Sequence, residues 1–189
     1  VNNVYIVVDA SDSMNENMEA GSDASRLKVV ADALDKLFEQ MNAADADPHT
    51  TVNVTLSIFS GGGTAPITFN MSIADWAGKT PDDIKAMLDS IKHGDTNFEQ
   101  PLHNASDWAQ SQAKGDGIYN KVIFITDATG REIMDTGKLK DYVNNIVNSG
   151  VDIESIAIIN TYQKKYENIL EDLGEKFPYD PDKMMYAQE

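Results

Sequence analysis

Apolar residues along this chain follow two patterns that alternate. Short continuous runs of strand length, rich in β-branched residues, are typical of parallel strands covered on both faces. These runs are Val4–Val8, Lys121–Asp127 and Ile153–Ile159. Between and after them, apolar residues recur at helical spacing. These segments are Leu27–Met41, Ile84–Ile91, Phe98–Ala113, Gly137–Asn148 and Tyr162–Leu173. The alternation predicts an α/β fold with a doubly wound, mostly parallel central sheet and helices on both faces.

One further pair of strands does not follow this alternation. Val52–Phe59 alternates apolar and polar residues, and Gly61–Gly63 leads from it into Thr64–Met71. Two strands joined by a glycine-rich turn predict a hairpin, which adds one antiparallel strand at the edge of the sheet. The residues from 174 to 189 show no readable pattern. At 189 residues the chain is long enough for one domain and one sizeable core, and it begins inside a strand pattern, as expected for a piece of a larger protein.

Charge and cysteine content narrow the range of functions. The chain has 31 acidic and 15 basic residues, a formal net charge of −16. Such a surface repels phosphate backbones and anionic lipid, so nucleic acid is not an expected partner. No apolar stretch is long enough for insertion into a bilayer. With no cysteine in the chain, disulfides, thiolate metal sites and cysteine nucleophiles are excluded.

Oxygen-bearing side chains follow the ends of two predicted strands. Asp9, Ser11 and Ser13 alternate after the first strand, so an extended segment would point all three to one side. Thr96 lies in a glycine-hinged loop, and Asp127 ends a later strand. Ligands of such sheets bind beyond the carboxyl ends of the strands, and oxygen donors are what Mg²⁺, Ca²⁺ and Mn²⁺ prefer. Taken singly, Ser11 and Ser13 are also explained as loop-capping serines, and Asp9 and Asp127 as turn formers at strand ends.

This set, in order and on these elements, resembles the metal ion-dependent adhesion site of von Willebrand factor type A domains. The resemblance runs from Val1 to about Leu173. It implies that the domain binds one divalent cation, with Mg²⁺ expected first and Ca²⁺ or Mn²⁺ as alternatives. The ion would bind the hydroxyls of the motif and, directly or through water, its two carboxylates. The implied ligands are Asp9, Ser11, Ser13, Thr96 and Asp127. Ala128 departs from the glycine common in the family, a change that narrows the crevice and removes no ligand.

Four more polar residues lie close to this set in sequence. Asp12, Asp95 and Asn97 are expected as solvated groups or as partners of the ligands. His93 is expected on the surface, with the alternative that it lines the crevice, because it precedes Thr96 by three residues. The two tryptophans, at positions 76 and 108, are expected in the core.

The resemblance implies a binding module in which a protein or glycan partner supplies an acidic group to the ion. An acidic, cysteine-free domain of this kind is similar to those of large bacterial adhesins of the repeats-in-toxin class, which predicts a monomeric domain in an extracellular chain. The alternative is a cytoplasmic assembly module that accompanies an ATPase or a chelatase. An enzyme is not expected, since an aspartyl phosphatase using Asp9 would need a carboxylate where Ser11 stands. In relatives the last helix slides as the ion shifts, and Tyr162–Leu173 is the corresponding segment here.

Overall fold

A single twisted sheet forms the centre of the molecule in the computed structural model, which describes residues 1–17, 24–45, 48–127, 134–159 and 185–186. The strands lie in the order β3-β2-β1-β4-β5-β6. All neighbours pair in parallel except β2 and β3, which are antiparallel. The strands are β1 (Asn2–Asp9), β2 (Val52–Phe59), β3 (Ile67–Ser72), β4 (Tyr119–Thr126), β5 (Asp152–Ile159) and β6 (Met185–Tyr186).

In the described part of the chain, five α-helices cover the two faces of this sheet. They are α1 (Arg26–Asp45), α2 (Ile73–Ala77), α3 (Pro81–Leu88), α4 (Glu99–Ser111) and α5 (Thr136–Asn148). Successive side chains of β1 point to opposite faces of the sheet, because the side chains of a strand alternate with a period of two residues. Ile6 and Val8 face a core shared with α1, α2 and α3, whereas Tyr5 and Val7 face a second core shared with α4 and α5. The predicted doubly wound α/β sheet with one antiparallel edge strand is therefore confirmed.

The main differences from the sequence prediction lie around β3. The strand begins at Ile67 rather than Thr64, because the chain from Gly61 turns back on itself, with Thr64 N donating to Gly61 O at 3.1 Å. The short helix α2 was not predicted, although Ser72 caps it by accepting from Asp75 N. Both tryptophans pack as expected: Trp76 is fully buried, and Trp108 lies half-buried against the second core.

Several predicted features lie outside the described residues. They are the helix 162–173, Ala128, most of the tail 174–189 and the middle of the loop 15–25. Within the described part of the chain, none of the helices has the length and apolar character needed to cross a bilayer.

An asparagine ladder links three neighbouring strands near the amino end of the sheet. Asn3 and Asn53 are register partners across β1 and β2, and Asn3 and Asn120 are partners across β1 and β4. Asn53 Nδ2 donates to Asn3 Oδ1 at 2.8 Å, and Asn3 Nδ2 donates to Asn120 Oδ1 at 2.8 Å. Asn120 Nδ2 then donates to Ala113 O beyond α4 at 3.0 Å. The ladder ties the three strands to the end of a helix through neutral groups.

Candidate functional site

Two carboxylates lie buried at the carboxyl end of the sheet. Asp9 is the last residue of β1, Asp127 follows the last residue of β4, and both are 0% exposed. Because β1 and β4 are neighbours, Thr126 Oγ1 can donate to Asp9 Oδ2 at 2.6 Å across the strand boundary. The sheet topology thus brings together two carboxylates 118 positions apart, as the sequence predicted from their places at strand ends.

The serines of the motif reach the same place by a different conformation from the one predicted. Ser11 is extended, but Asp12–Asn15 forms a turn of 3₁₀ helix, so the simple alternation assumed for an extended segment is wrong. Ser11 N donates to Asp9 Oδ1 at 2.8 Å, and the Oγ atoms of Ser11 and Ser13 lie 3.3 Å apart. Both serines are buried, while Asp12 between them is exposed. The tight turn still brings the two hydroxyls together.

Thr96 is held near this turn by a network of backbone bonds. Its loop is tied to the first loop by Asp12 N, which donates to Gly94 O at 2.8 Å. Ser60, after β2, accepts from Gly94 N through Oγ at 2.8 Å and from Asn97 N through its carbonyl oxygen at 3.2 Å. Thr96 itself is 1% exposed, whereas Asp95 beside it is exposed. The sequence prediction did not include Ser60, which fastens this loop to the sheet.

Burial and like charge make Asp9 hard to ionise. Loss of water around the side chain and, next, the charge of Asp127 raise the pKa of Asp9 to about 7 from an ordinary 3.8, although hydrogen bonds from Ser11 and Thr126 oppose the shift. A nearby cation would offset both causes, since it attracts the charged form. The electrostatics of the pair therefore favour a positive group beside it.

One such positive group, Arg26, was missed by the sequence prediction. It is the first residue of α1 and is 0% exposed. Its Nη1 donates to Asp127 Oδ2 at 3.0 Å and to Ser13 O at 2.9 Å, and lies 3.6 Å from Glu16 Oε2. A signal was present in the sequence: a cation in the first turn of a helix opposes the helix dipole, so such a position calls for an anionic partner.

His93 bridges the motif loop and the end of α3. Its Nδ1 lies 2.6 Å from Ala10 O, and its Nε2 lies 3.0 Å from Asp89 Oδ1. Both partners accept hydrogen bonds, and a neutral imidazole ring can donate to only one of them. His93 is partly buried. Through these two contacts it holds the loop between Asp9 and Ser11 against the end of α3, and it does not lie freely on the surface.

The donor set is chemically suited to a hard divalent cation. It offers two carboxylates and three hydroxyls, all oxygen and all buried: Asp9, Ser11, Ser13, Thr96 and Asp127. In the described part of the chain no three side chains of His, Cys, Asp or Glu gather to form a conventional metal cluster. Any ion held here would depend on hydroxyl oxygens for much of its coordination, and such ligands suit Mg²⁺, Mn²⁺ or Ca²⁺.

Two polar cavities are lined in part by the Gly61–Gly63 turn. One, of about 600 Å³, is lined by Asp12, His93 and Asp95, among others. The other, of about 260 Å³, is lined by Asn97, Glu99, His103 and Lys138, among others. Four polar residues singled out from the sequence, Asp12, His93, Asp95 and Asn97, thus line depressions beside the buried oxygen set.

The family model described as von Willebrand factor type A domain matches residues 3–188. No curated protein matches the chain. Among solved structures, an aerotolerance-related membrane protein from Bacteroides fragilis matches with TM-score 0.53 and 22% identity, over 82% of this chain and 66% of that one.

Two further solved structures cover nearly the whole chain. The pilus adhesin SpaC from Lactobacillus rhamnosus GG matches with TM-score 0.67 and 16% identity, over 98% of this chain and 28% of that one. The manganese-loaded TRAP protein of Plasmodium vivax matches with TM-score 0.53 and 13% identity, over 98% of this chain and 67% of that one. At these identities the likeness concerns the fold. The chain spans slightly less than two thirds of the Bacteroides protein and under a third of the pilus adhesin.

Proposed function

This chain belongs to the von Willebrand factor type A domain family, and we propose that it is a binding module that grips an acidic partner through one divalent cation. The observation that carries the proposal is the burial of Asp9 and Asp127 side by side among three buried hydroxyls. Burying two carboxylates is costly for a fold unless a cation or another partner compensates them. Arg26 pairs with Asp127, whereas burial and the charge of Asp127 still oppose the ionisation of Asp9, and a divalent cation beside it would favour that ionisation.

The roles of the residues follow from their chemistry. Ser11, Ser13 and Thr96 would hold the ion through neutral oxygens, and Asp9 and Asp127 would hold it directly or through water. The ion supplies an incompletely neutralised positive charge, which attracts a carboxylate from outside the chain. Ser60 and His93 hold the two ligand-bearing loops in place. Mg²⁺ suits this small, oxygen-only set best, with Mn²⁺ and Ca²⁺ as substitutes.

The partner we propose is a protein or glycan with an exposed acidic group, met outside a bacterial cell. The domain would be the adhesion unit of a large secreted adhesin of the repeats-in-toxin class. Two features support this setting: the acidic, cysteine-free composition, and the match of almost the whole chain to part of a pilus adhesin. Binding rather than catalysis is proposed, because Ser11 stands where a phosphatase would need its second carboxylate. Phosphatase turnover with Mg²⁺ that is lost in Asp9→Asn would contradict this.

Metal titration tests the proposal directly. Calorimetry should show one Mg²⁺ or Mn²⁺ site in the wild-type domain and no detectable site in Asp9→Ala or Asp127→Ala. Asp152→Ala is the matched control, because it removes an exposed carboxylate at the opposite end of the sheet and should leave binding unchanged. Circular dichroism verifies that each variant is folded. Unchanged binding in both Asp9→Ala and Asp127→Ala would overturn the site.

A further inference from the structure

Arg26 places a fixed positive charge beside two residues of the proposed ion site. One nitrogen of its guanidinium contacts two of the five proposed ligand residues, through Oδ2 of Asp127 and the carbonyl oxygen of Ser13. The side chain is among the largest fully buried ones in the protein. A guanidinium stays protonated at any pH at which proteins are folded, so this charge is permanent.

Among the described residues, Asp127 is the nearer of the two carboxylates that pair with this charge. A buried charge costs several kcal/mol unless a partner compensates it, and Asp127, which is itself fully buried, lies 3.0 Å away. Glu16 is farther away, at 3.6 Å, and is half-exposed. Solvent screens such an exposed group, so it contributes little to the balance. Arg26 and Asp127 therefore compensate each other inside the fold.

This pairing changes the net charge of three buried side chains, those of Asp9, Asp127 and Arg26. With both aspartates ionised, the buried set of Asp9, Asp127 and Arg26 carries one net negative charge, and a bound divalent ion turns it into one net positive charge. Without Arg26, the loaded set would be neutral and would attract an outside carboxylate less. The unloaded set would carry two negative charges and would hold a cation more tightly.

We propose that Arg26 is a positioning residue that holds Asp127 by Oδ2. Its charge lowers the affinity of the site for the ion and raises the affinity of the loaded site for the acidic partner. The inference rests on the proposed function, since it concerns the same ion and the same partner chemistry. Arg26 contacts neither the ion nor the partner and acts through Asp127. Its charge keeps the ion exchangeable and keeps the loaded crevice positive.

The test uses Mn²⁺ as the probe ion and Arg26→Gln as the variant, because the glutamine amide can still donate hydrogen bonds but carries no charge. Calorimetry should show Mn²⁺ binding about tenfold tighter in Arg26→Gln than in the wild type. Arg26→Lys, which keeps the charge, should stay close to the wild type. Lys28→Met removes an exposed charge paired with Asp32 on the same helix, and it should change nothing.

Acetate provides the second measurement, as the simplest carboxylate. Water-proton relaxation of the Mn²⁺-loaded domain reports displacement of ion-bound water, and acetate should displace it at several-fold higher concentration in Arg26→Gln than in the wild type. A merely structural role for Arg26 would not raise affinity for the ion. If Arg26→Gln does not fold without metal, addition of Mn²⁺ should restore folding, because the ion replaces the lost charge beside Asp127.

The outcomes separate the two proposals. A wild-type domain that binds no Mn²⁺ overturns the proposed function, and this inference with it. A wild-type domain that binds Mn²⁺ while Arg26→Gln binds it equally or more weakly overturns the inference alone. Failure of Mn²⁺ to restore the folding of an unfolded Arg26→Gln variant overturns it as well.

Discussion

The two ends of the central sheet are built from the same strands but differ in how their buried polar groups are compensated. At the amino end, a cavity of about 680 Å³ lies among residues such as Val4, Met41 and Tyr119. Polar groups near that end are amides that bond to each other, as in the ladder through Asn3 and Asn120. At the carboxyl end, two cavities lined by described residues have volumes of about 600 and 260 Å³, and the buried polar groups include the charged side chains of Asp9, Asp127 and Arg26.

The site proposed above lies at the end whose described cavities are smaller, so cavity volume alone would not have led to it. Neutral amides are inexpensive to bury once they are hydrogen-bonded, so a fold can use them for cohesion anywhere. Adjacent carboxylates remain costly even when they are hydrogen-bonded, because each raises the energy of the other. The end of the sheet that keeps such a pair is the end where a chemical function is expected.

The largest expected effect is the dependence of ion binding on pH. Because the pKa of Asp9 is about 7 in the folded domain, a proton competes with the ion below that pH. Mn²⁺ affinity should fall about tenfold for each pH unit between 7 and 5 and level off above 7. Calorimetry across pH 5 to 8 measures this. Affinity that is constant over the whole range would contradict the ionisation proposed for the crevice.

The raised pKa of Asp9 also predicts how the stability of the metal-free domain depends on pH. This stability should fall as pH rises, whereas ion affinity should increase. The pKa of Asp9 is higher in the folded state than its ordinary 3.8, so protonation of this carboxyl stabilises the folded domain. Its contribution to the free energy of unfolding is complete below about pH 4 and is lost as pH rises through 7. Chemical unfolding in EDTA should therefore show a stability contribution from Asp9 that declines between those values. Asp9→Asn should remove the decline, since it cannot ionise.

A smaller effect is expected from a single hydroxyl of the crevice. Thr96→Val keeps the shape of the side chain and removes one proposed ligand oxygen, so Mn²⁺ affinity should fall roughly tenfold. Thr55→Val is the matched control, because it makes the same change on β2, where Oγ1 donates to Asn70 instead. Equal Mn²⁺ affinities in the two variants would show that Thr96 is not a ligand of the ion.

The smallest expected effect belongs to the amino end. Asn120→Ala removes one bond to Asn3 and one to Ala113, so the free energy of unfolding should fall by about 1–2 kcal/mol in urea titrations. Mn²⁺ affinity should be unchanged, since the ladder is distant from the crevice along the strands. Asn53→Ala, at the exposed end of the ladder, should cost less. A loss of ion affinity in Asn120→Ala would show that the two ends are coupled.

The sheet and the ligand-bearing elements could be predicted from sequence because their signals are local. A continuous apolar run such as Val4–Val8 specifies a buried strand by itself, and the residue that ends it must lie at one end of the sheet. The turn at Asp12–Asn15 could not be predicted in the same way. Its shape depends on Gly94, which accepts a hydrogen bond from Asp12 across 82 positions of sequence.

Arg26 shows the same limit more clearly. Its place at the start of a helix was nearly correct in the sequence prediction, which began that helix at Leu27. Its burial was not predictable, because it depends on Asp127, which lies 101 residues away in sequence. A charged residue reads as exposed in any local pattern, and only the tertiary structure reveals that its partner is buried too.

The hydrogen bond from Thr126 to Asp9 has a consequence for the order in which this domain matures. It joins residues 117 positions apart, so it cannot form until the chain has been synthesised through β4 and has closed a long loop. No shorter amino-terminal fragment contains the complete crevice. An ion that needs the complete set of ligands binds the folded chain and not the nascent one. By mass action, such binding shifts the last folding step towards the folded state. Ion affinity would in that case report whether an individual molecule has finished folding.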